Sequence, residues 1–95
     1  MNCSKCGQDL GDMEERKAFI CVEAMGDEYI YSYWFCQHCE VYTSETYHDR
    51  FSGEDSIRTS HPIPKERGDQ LVALIKKCPD PTDKRCNCET HRYFM

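Results

Sequence analysis

The chain has 95 residues, 39% of them apolar, and a formal net charge of −5. A chain of this length forms one domain, or one domain with a small appendage, and it buries too little surface to depend on apolar packing alone. The acidic charge argues against nucleic acid as a partner, because nucleic-acid-binding surfaces are usually basic. Eight cysteines exceed ordinary usage and indicate stabilisation by metal or by disulfides.

The start of the chain favours metal over disulfides. Met1 is followed directly by Asn2 and Cys3, without the basic and apolar segments of a signal peptide. No run of about 20 apolar residues is long enough to span a membrane. We therefore expect a cytoplasmic protein with no membrane partner, in which cysteines stay reduced and bind metal.

The charge is unevenly distributed along the chain. Residues 1–57 contain four basic and twelve acidic side chains, whereas residues 58–95 contain eight and five. Zinc bound to thiolates makes the protein still more acidic, to a net charge of about −8 for two filled sites. The asymmetry allows the two halves to attract each other or to offer one face to a partner.

The first motif in chain order is a C-x-x-C turn at residues 3–6, and it has a counterpart at residues 36–39. Each turn presents two thiolates to one metal, and two turns supply the tetrahedral sulfur set that Zn²⁺ prefers. We therefore predict a first zinc site whose ligands are Cys3, Cys6, Cys36 and Cys39.

A β-hairpin is predicted between the two motifs, since Lys17 to Ala24 and Tyr29 to Phe35 are rich in strand formers and flank a Gly26-Asp27 turn. A third strand, Val41 to Tyr47, follows the second motif. Alternation along the second strand places an aromatic row on one face, consisting of Tyr29, Tyr31, Tyr33 and Phe35.

This order of motif, two strands, motif and strand resembles a zinc ribbon, a small three-stranded sheet held by two C-x-x-C turns. The resemblance covers about residues 2–48. It implies a metal site rather than one function, because zinc ribbons occur in transcription factors, ribosomal proteins, nucleotide enzymes and protein adaptors. Gly7 after the first motif fits the positive φ of such turns, whereas Glu40 occupies that place after the second motif.

The chain is also similar to rubredoxins, which hold one iron in four thiolates for electron transfer. Rubredoxins typically carry Pro and Gly in and after the second motif, where this chain has Gln37, His38 and Glu40. We therefore favour zinc and retain iron as the alternative at the first site.

The second half of the chain predicts one helix after an irregular connection at residues 48–63. Leu71, Leu74 and Ile75 share one face of a helix over residues 65–77. Pro64 suits its start and Pro79 its end. We expect this helix to cover one face of the sheet.

A second cluster of potential ligands follows the helix within fourteen residues. Its three thiols and one imidazole complete a zinc shell, formed by Cys78, Cys86, Cys88 and His91. Metal there would supply about 10 kcal/mol to order a segment with almost no apolar residues. The alternatives are a core role for Cys78 and an exposed His91 in a mobile tail. Cys21 is predicted to be a buried core thiol rather than a ligand.

The predicted fold is therefore a small, metal-stabilised α+β protein. A zinc-ribbon-like three-stranded antiparallel sheet occupies residues 1–50. Residues 51–95 form a connector, the helix and a Cys₃His metal loop, packed with the sheet as one unit.

The predicted function is protein interaction rather than catalysis. Catalytic zinc keeps an open position, whereas both predicted sites have four protein ligands, and no phosphate loop or catalytic triad motif is present. An aromatic row larger than so short a chain can bury would suit another protein or a second copy of this chain. The alternatives are a rubredoxin-like iron electron carrier and a nucleic-acid-binding zinc ribbon that stacks its aromatic rings on bases.

Overall fold

The computed structural model describes Met1–Phe94. After a short 3-10 turn at Met13–Glu15, the chain forms five strands and two helices. The strands are β1 (Ala18–Ala24), β2 (Asp27–Cys36), β3 (Val41–Asp49), β4 (Asp55–Thr59) and β5 (Ile63–Pro64), and the helices are α1 (Lys65–Lys76) and α2 (Glu89–Phe94).

The strands form one antiparallel sheet in the order β1-β2-β3-β4, with β5 pairing the start of β3. A two-residue turn joins β1 to β2, and both Met25 and Gly26 have positive φ, as tight hairpin turns require. The register places Ile30 of β2 opposite Tyr47 of β3, and Tyr47 opposite Ile57 of β4.

The predicted three-stranded sheet is too small, because β4 lies within the segment that we predicted to be irregular. Its sequence, DSIRT, has one apolar residue and therefore lacks the alternation that marks a half-buried strand. Backbone pairing with the projecting half of β3, from Glu45 to Asp49, forms this strand instead. Tertiary context thus overrides a weak local pattern.

The hydrophobic core lies between one face of the sheet and α1. Ile20 and Val22 of β1 are fully buried, and they pack in one cluster with the helix residues Leu71, Val72 and Ile75. The helix matches the predicted 65–77 to within one residue, since it ends at Lys76.

Close contact between α1 and the sheet depends on a glycine. A Cβ at Gly68 would lie 2.0 Å from Cδ1 of Tyr42 on β3. The Tyr42 hydroxyl donates a hydrogen bond to Asp69 at 2.6 Å, on the same helix. Gly68 weakens the helix locally, but it admits the Tyr42 ring beneath the helix.

The aromatic row of β2 lies on the core face, where it is more covered than we expected but only Tyr33 is buried. Tyr33 is only 5% exposed, and Tyr29, Tyr31 and Phe35 pack against the core cluster. Phe94 of α2 contributes to this packing, with its ring centroid 5.4 Å from that of Tyr31. The helices α1 and α2 cover the aromatic face that a three-stranded sheet with one helix would have left more exposed.

The opposite face of the sheet is partly uncovered. Trp34 is buried there because the 3-10 turn region lies over it, and its indole N–H donates to the carbonyl of Asp12 at 3.0 Å. Farther along the sheet, Ile57 is 62% exposed. We call this uncovered area, formed by Met13, Ile30, Glu45, Tyr47 and Ile57, the open face.

The C-terminal segment contains a second helix, α2, where we predicted only a metal loop. Thr90 and His91 on this six-residue helix are buried. Within Met1–Phe94, no helix is long and apolar enough to cross a membrane.

Candidate metal centres

The first cluster joins the N-terminal turn to the connection between β2 and β3. Its ligand atoms all lie within 4.8 Å of one another, and the Sγ atoms of Cys6 and Cys36 are 3.8 Å apart. A tetrahedral zinc site with Zn–S bonds of about 2.3 Å has sulfur–sulfur separations of about 3.8 Å. The cysteines are free rather than disulfide-bonded. The sulfur positions of Cys3, Cys6, Cys36 and Cys39 therefore fit one metal ion in a zinc-ribbon-like arrangement.

The two C-x-x-C turns have the same backbone geometry, although only one is followed by glycine. The amide of Gly7 donates to the carbonyl of Cys3 at 2.9 Å, and that of Glu40 donates to Cys36 at 2.8 Å. Gly7 has φ +81° and Glu40 has φ +53°. Glu40 thus adopts the left-handed conformation at a steric cost that glycine avoids.

Hydrogen bonds to β3 hold the first turn against the sheet. The backbone amide of Ser4 donates to Oγ1 of Thr43 at 3.0 Å, and the two side-chain oxygens lie 2.9 Å apart. Leu10 packs against a small buried cluster that includes Cys3, Cys36 and Val41. These contacts place the N-terminal thiols opposite the end of β2.

The thiols of the first cluster compete with one another for ionisation. Burial opposes the Cys3 thiolate, but amide donors from Cys6 and Lys5 outweigh it and lower the pKa of Cys3 to about 7. A side-chain hydrogen bond with Cys6, together with burial, raises the pKa of Cys39 to about 12. Cys3 and Cys39 therefore do not ionise together at neutral pH without a cation, and a bound divalent metal would offset the repulsion between their thiolates.

The second cluster is equally compact. The Sγ atom of Cys78 lies 3.9 Å from that of Cys86 and 3.3 Å from that of Cys88. Nδ1 of His91 lies 3.2 Å from both Cys78 and Cys88. All four donor atoms lie within 4.8 Å of one another and fit one tetrahedral metal ion.

The imidazole of His91 is oriented from outside the cluster. It is fully buried, and its Nε2 lies 2.9 Å from the carbonyl oxygen of Cys21 on β1. Because a carbonyl only accepts, Nε2 carries the proton and Nδ1 directs its lone pair at the thiols. A backbone acceptor of this kind commonly fixes a metal-binding histidine. His91 therefore does not lie in an exposed tail.

Further contacts attach the second cluster to the edge of the sheet. The amide of Cys21 donates to the carbonyl of Pro81 at 2.8 Å, and the Thr90 hydroxyl donates to the carbonyl of Leu74 at 2.9 Å. Lys84 forms ion pairs with Glu28 and with Glu23, both in the β1–β2 hairpin. No local sequence pattern predicts these contacts, because they join residues far apart in the chain.

In the second cluster, as in the first, the pKa of one thiol is lowered and that of another is raised. Burial opposes the Cys88 thiolate, but donors that include the backbone amide of His91, at 3.4 Å from its Sγ, outweigh burial and lower the pKa of Cys88 to about 6. Burial, followed by the hydrogen bond with Cys88, raises the pKa of Cys78 to about 12. A bound metal cation would again offset the electrostatic repulsion between neighbouring thiolates.

The remaining cysteine and histidines lie outside both clusters. Cys21 is half-buried on the sheet face opposite the core, so its predicted core position is wrong; burial nevertheless raises the pKa of its thiol. His38 and His61 are exposed. Nε2 of His48 lies 2.8 Å from a carboxylate oxygen of Asp27.

Two clusters of this composition indicate a metal-binding protein. Each offers four protein donors, the number that a tetrahedral metal shell needs. The chain matches no protein-family model, no curated protein and no solved structure.

Proposed function

We propose that the protein binds two structural zinc ions and acts as a protein-interaction module. The observation that carries the proposal is the convergence of four cysteines in one cluster and of three cysteines and a histidine in the other. Thiolate and imidazole donors in tetrahedral sets favour zinc. Thiolate sites of this kind suit a reducing, intracellular compartment, where cysteines stay available to metal.

A structural role is supported by what surrounds the donors. In the second cluster, the distal nitrogen of His91 is engaged by the backbone of β1. In the first, buried Cys3 and Cys36 pack with Val41. With four protein ligands at each metal, neither site activates water, so the proposal assigns the protein no catalytic activity.

The proposed partner surface is the open face, since the helices largely cover the aromatic row. It contains a concavity of about 420 Å³ between Met13, Ile30, Tyr47 and Ile57. An adjoining concavity of about 530 Å³ extends to Trp34. Apolar and aromatic side chains of this kind commonly anchor interfaces.

Charge around the open face indicates the chemistry of the partner. Glu45 lines both concavities, and Asp12 and Glu14 line the one beside Trp34. Asp55 adjoins Ile57 on β4. Arg16 is the basic side chain at this surface. The proposed partner is therefore a protein segment that combines apolar side chains with basic ones.

Elemental analysis of protein purified without added metal tests the metal assignment. We expect two zinc ions per chain and a colourless protein. One zinc per chain would remove the second site from the proposal. Iron with thiolate-to-iron absorption would overturn the structural role in favour of the electron carrier.

Titration of the zinc-loaded protein with a peptide, monitored by NMR, tests whether the open face binds a basic and apolar segment. A ten-residue peptide of alternating lysine and valine is expected to shift the amide signals of Ile30, Tyr47 and Ile57. Ile57→Lys should abolish these shifts, whereas a peptide of alternating glutamate and valine should cause none. Shifts elsewhere would contradict the assignment, and a dimer in sedimentation that Ile57→Lys dissociates would make a second copy the partner.

A further inference from the structure

We propose that the protein has an anion site for a phosphate group, between β3 and β4 on the helix-facing side of the sheet. The site is a cavity of about 270 Å³, separate from both metal clusters. We call it the basic pocket; its lining residues are Thr46, His48, Arg50, Ser56 and Arg58.

Strand register brings these side chains together. Thr46 pairs with Arg58, and the next residues on the same face, His48 and Ser56, also pair. Arg50 continues the alternation at the end of β3. Two cationic guanidinium groups, an imidazole and two hydroxyl groups therefore surround one cavity, in a chain whose net charge is −5.

The acidic side chains of the strands around the basic pocket are directed away, and that of Asp27 is already paired; Glu54, just before β4, is exposed to solvent. Alternation places Glu45, Asp49 and Asp55 on the opposite face of the sheet. Asp27 lies closest, but one of its oxygens faces Nε2 of His48 at 2.8 Å and the other accepts from the amide of Phe51 at 2.9 Å. The cationic groups thus keep donors for an added anion.

The donors match the geometry of an oxyanion. Nη1 of Arg50 donates to Oγ of Ser56 at 3.2 Å, which orients the guanidinium and leaves its other N–H groups free to donate. Across Met1–Phe94, no side-chain hydrogen bond or ion pair engages the guanidinium of Arg58. Arginine forks bind phosphate oxygens in pairs, and two of them can hold one phosphate group.

An aromatic ring borders the basic pocket. The ring of Tyr29 stacks on His48, with centroids 4.3 Å apart and planes 17° apart. This stacking and the Asp27 contact fix the imidazole at the wall of the cavity. The ligand is therefore either free phosphate or the phosphate group of a small monoester whose organic part reaches Tyr29.

NMR titration of the zinc-loaded, full-length protein with inorganic phosphate tests the site, with chloride varied to hold ionic strength constant. We expect saturable shifts at the amides of Thr46, Ser56 and Arg58. Arg58→Ala should weaken binding about tenfold, because it removes one charge-assisted fork. Lys76→Ala removes the same charge beside Phe19, at the β1 edge of the sheet, and should leave affinity within twofold.

Linear shifts without saturation, or equal loss in Arg58→Ala and Lys76→Ala, would overturn the proposal in favour of general charge screening. Ser56→Ala provides a second variant that keeps the net charge; it should also weaken binding, and unchanged affinity would contradict the proposed role of this hydroxyl. A parallel titration with phenyl phosphate distinguishes the sources. Tighter binding with shifts at Tyr29 would support a monoester, and equal affinity would support free phosphate.

Discussion

The two metal clusters use similar ligands but are built in different ways. The first collects its cysteines from two turns 30 residues apart, and one of them, Cys36, is the last residue of β2. The second draws all its ligands from a continuous segment at residues 78–91. The first cluster therefore joins two distant parts of the chain at one end of the sheet, whereas the second closes one continuous segment beside the edge strand β1.

The surroundings of each cluster show the same contrast. The first has an apolar setting that includes Leu10 and Val41. The second lies in a segment with almost no apolar residues before α2, held by the backbone of Cys21 and the ion pairs of Lys84. A bound metal would therefore have to replace apolar packing more completely at the second cluster than at the first.

The largest expected effect comes from breaking the first cluster. Cys36→Ser should release its metal and unfold the whole protein, because a structural zinc contributes about 10 kcal/mol, comparable with the total stability of a small domain. Circular dichroism and elemental analysis measure both changes. Cys21→Ser, at a cysteine outside the clusters, should keep two metals and the fold. A folded Cys36→Ser protein would show that the sheet stands without its metal.

Breaking the second cluster should have a large but local effect. Cys88→Ser is expected to disorder the segment after about residue 78 while the sheet amide signals persist. Amide exchange at Cys21 should accelerate, because the acceptor on Pro81 is lost. Hydrogen exchange followed by NMR measures this, with the exposed Asn87→Ser as control. Unfolding of the sheet as well would show that the two clusters form one cooperative unit.

A moderate loss of stability is expected from a substitution in α1, the helix that connects the core to the second cluster. Gly68→Ala improves helix propensity by about 1 kcal/mol, yet the added methyl would overlap the Tyr42 ring. We expect a net destabilisation of about 1–3 kcal/mol in urea unfolding. Chelator-induced zinc release should accelerate at the second cluster, because α1 leads directly to Cys78.

Gln70→Ala, at an exposed position of the same helix, is the control and should stabilise slightly. If Gly68→Ala stabilised the protein as well, the close helix–sheet contact would not matter energetically. Equal acceleration of zinc release at both clusters would contradict the specific connection of α1 to the second one.

The smallest expected effect distinguishes the two turns of the first cluster. Glu40→Gly should stabilise the protein by about 1 kcal/mol, because glycine removes the cost of a positive φ. Gly7→Ala should destabilise it by a similar amount, since a Cβ there meets no atom within 4 Å and only conformational strain remains. Both variants should retain two metals. Urea denaturation measures the free energies, and no change in either variant would refute the strain at Glu40.

The parts of the structure that sequence reasoning could predict have local causes. The C-x-x-C turns, the β1–β2 hairpin and the apolar face of α1 each follow from spacing or periodicity within a few residues. The structure brings together the eight residues that this spacing singles out. By contrast, β4 forms by backbone pairing with β3, and α2 is too short to show a helical period.

The sequence by itself determined which residues can act as metal ligands and where the main strands and α1 lie, because donor chemistry and periodicity are properties of short segments. Only the tertiary structure decided that the aromatic row faces the core, that the opposite face is partly open and that His91 is oriented by the backbone of Cys21. Those outcomes depend on which side of the sheet the helices cover. Packing between residues far apart in the chain determines which side is covered, and local sequence patterns do not predict it.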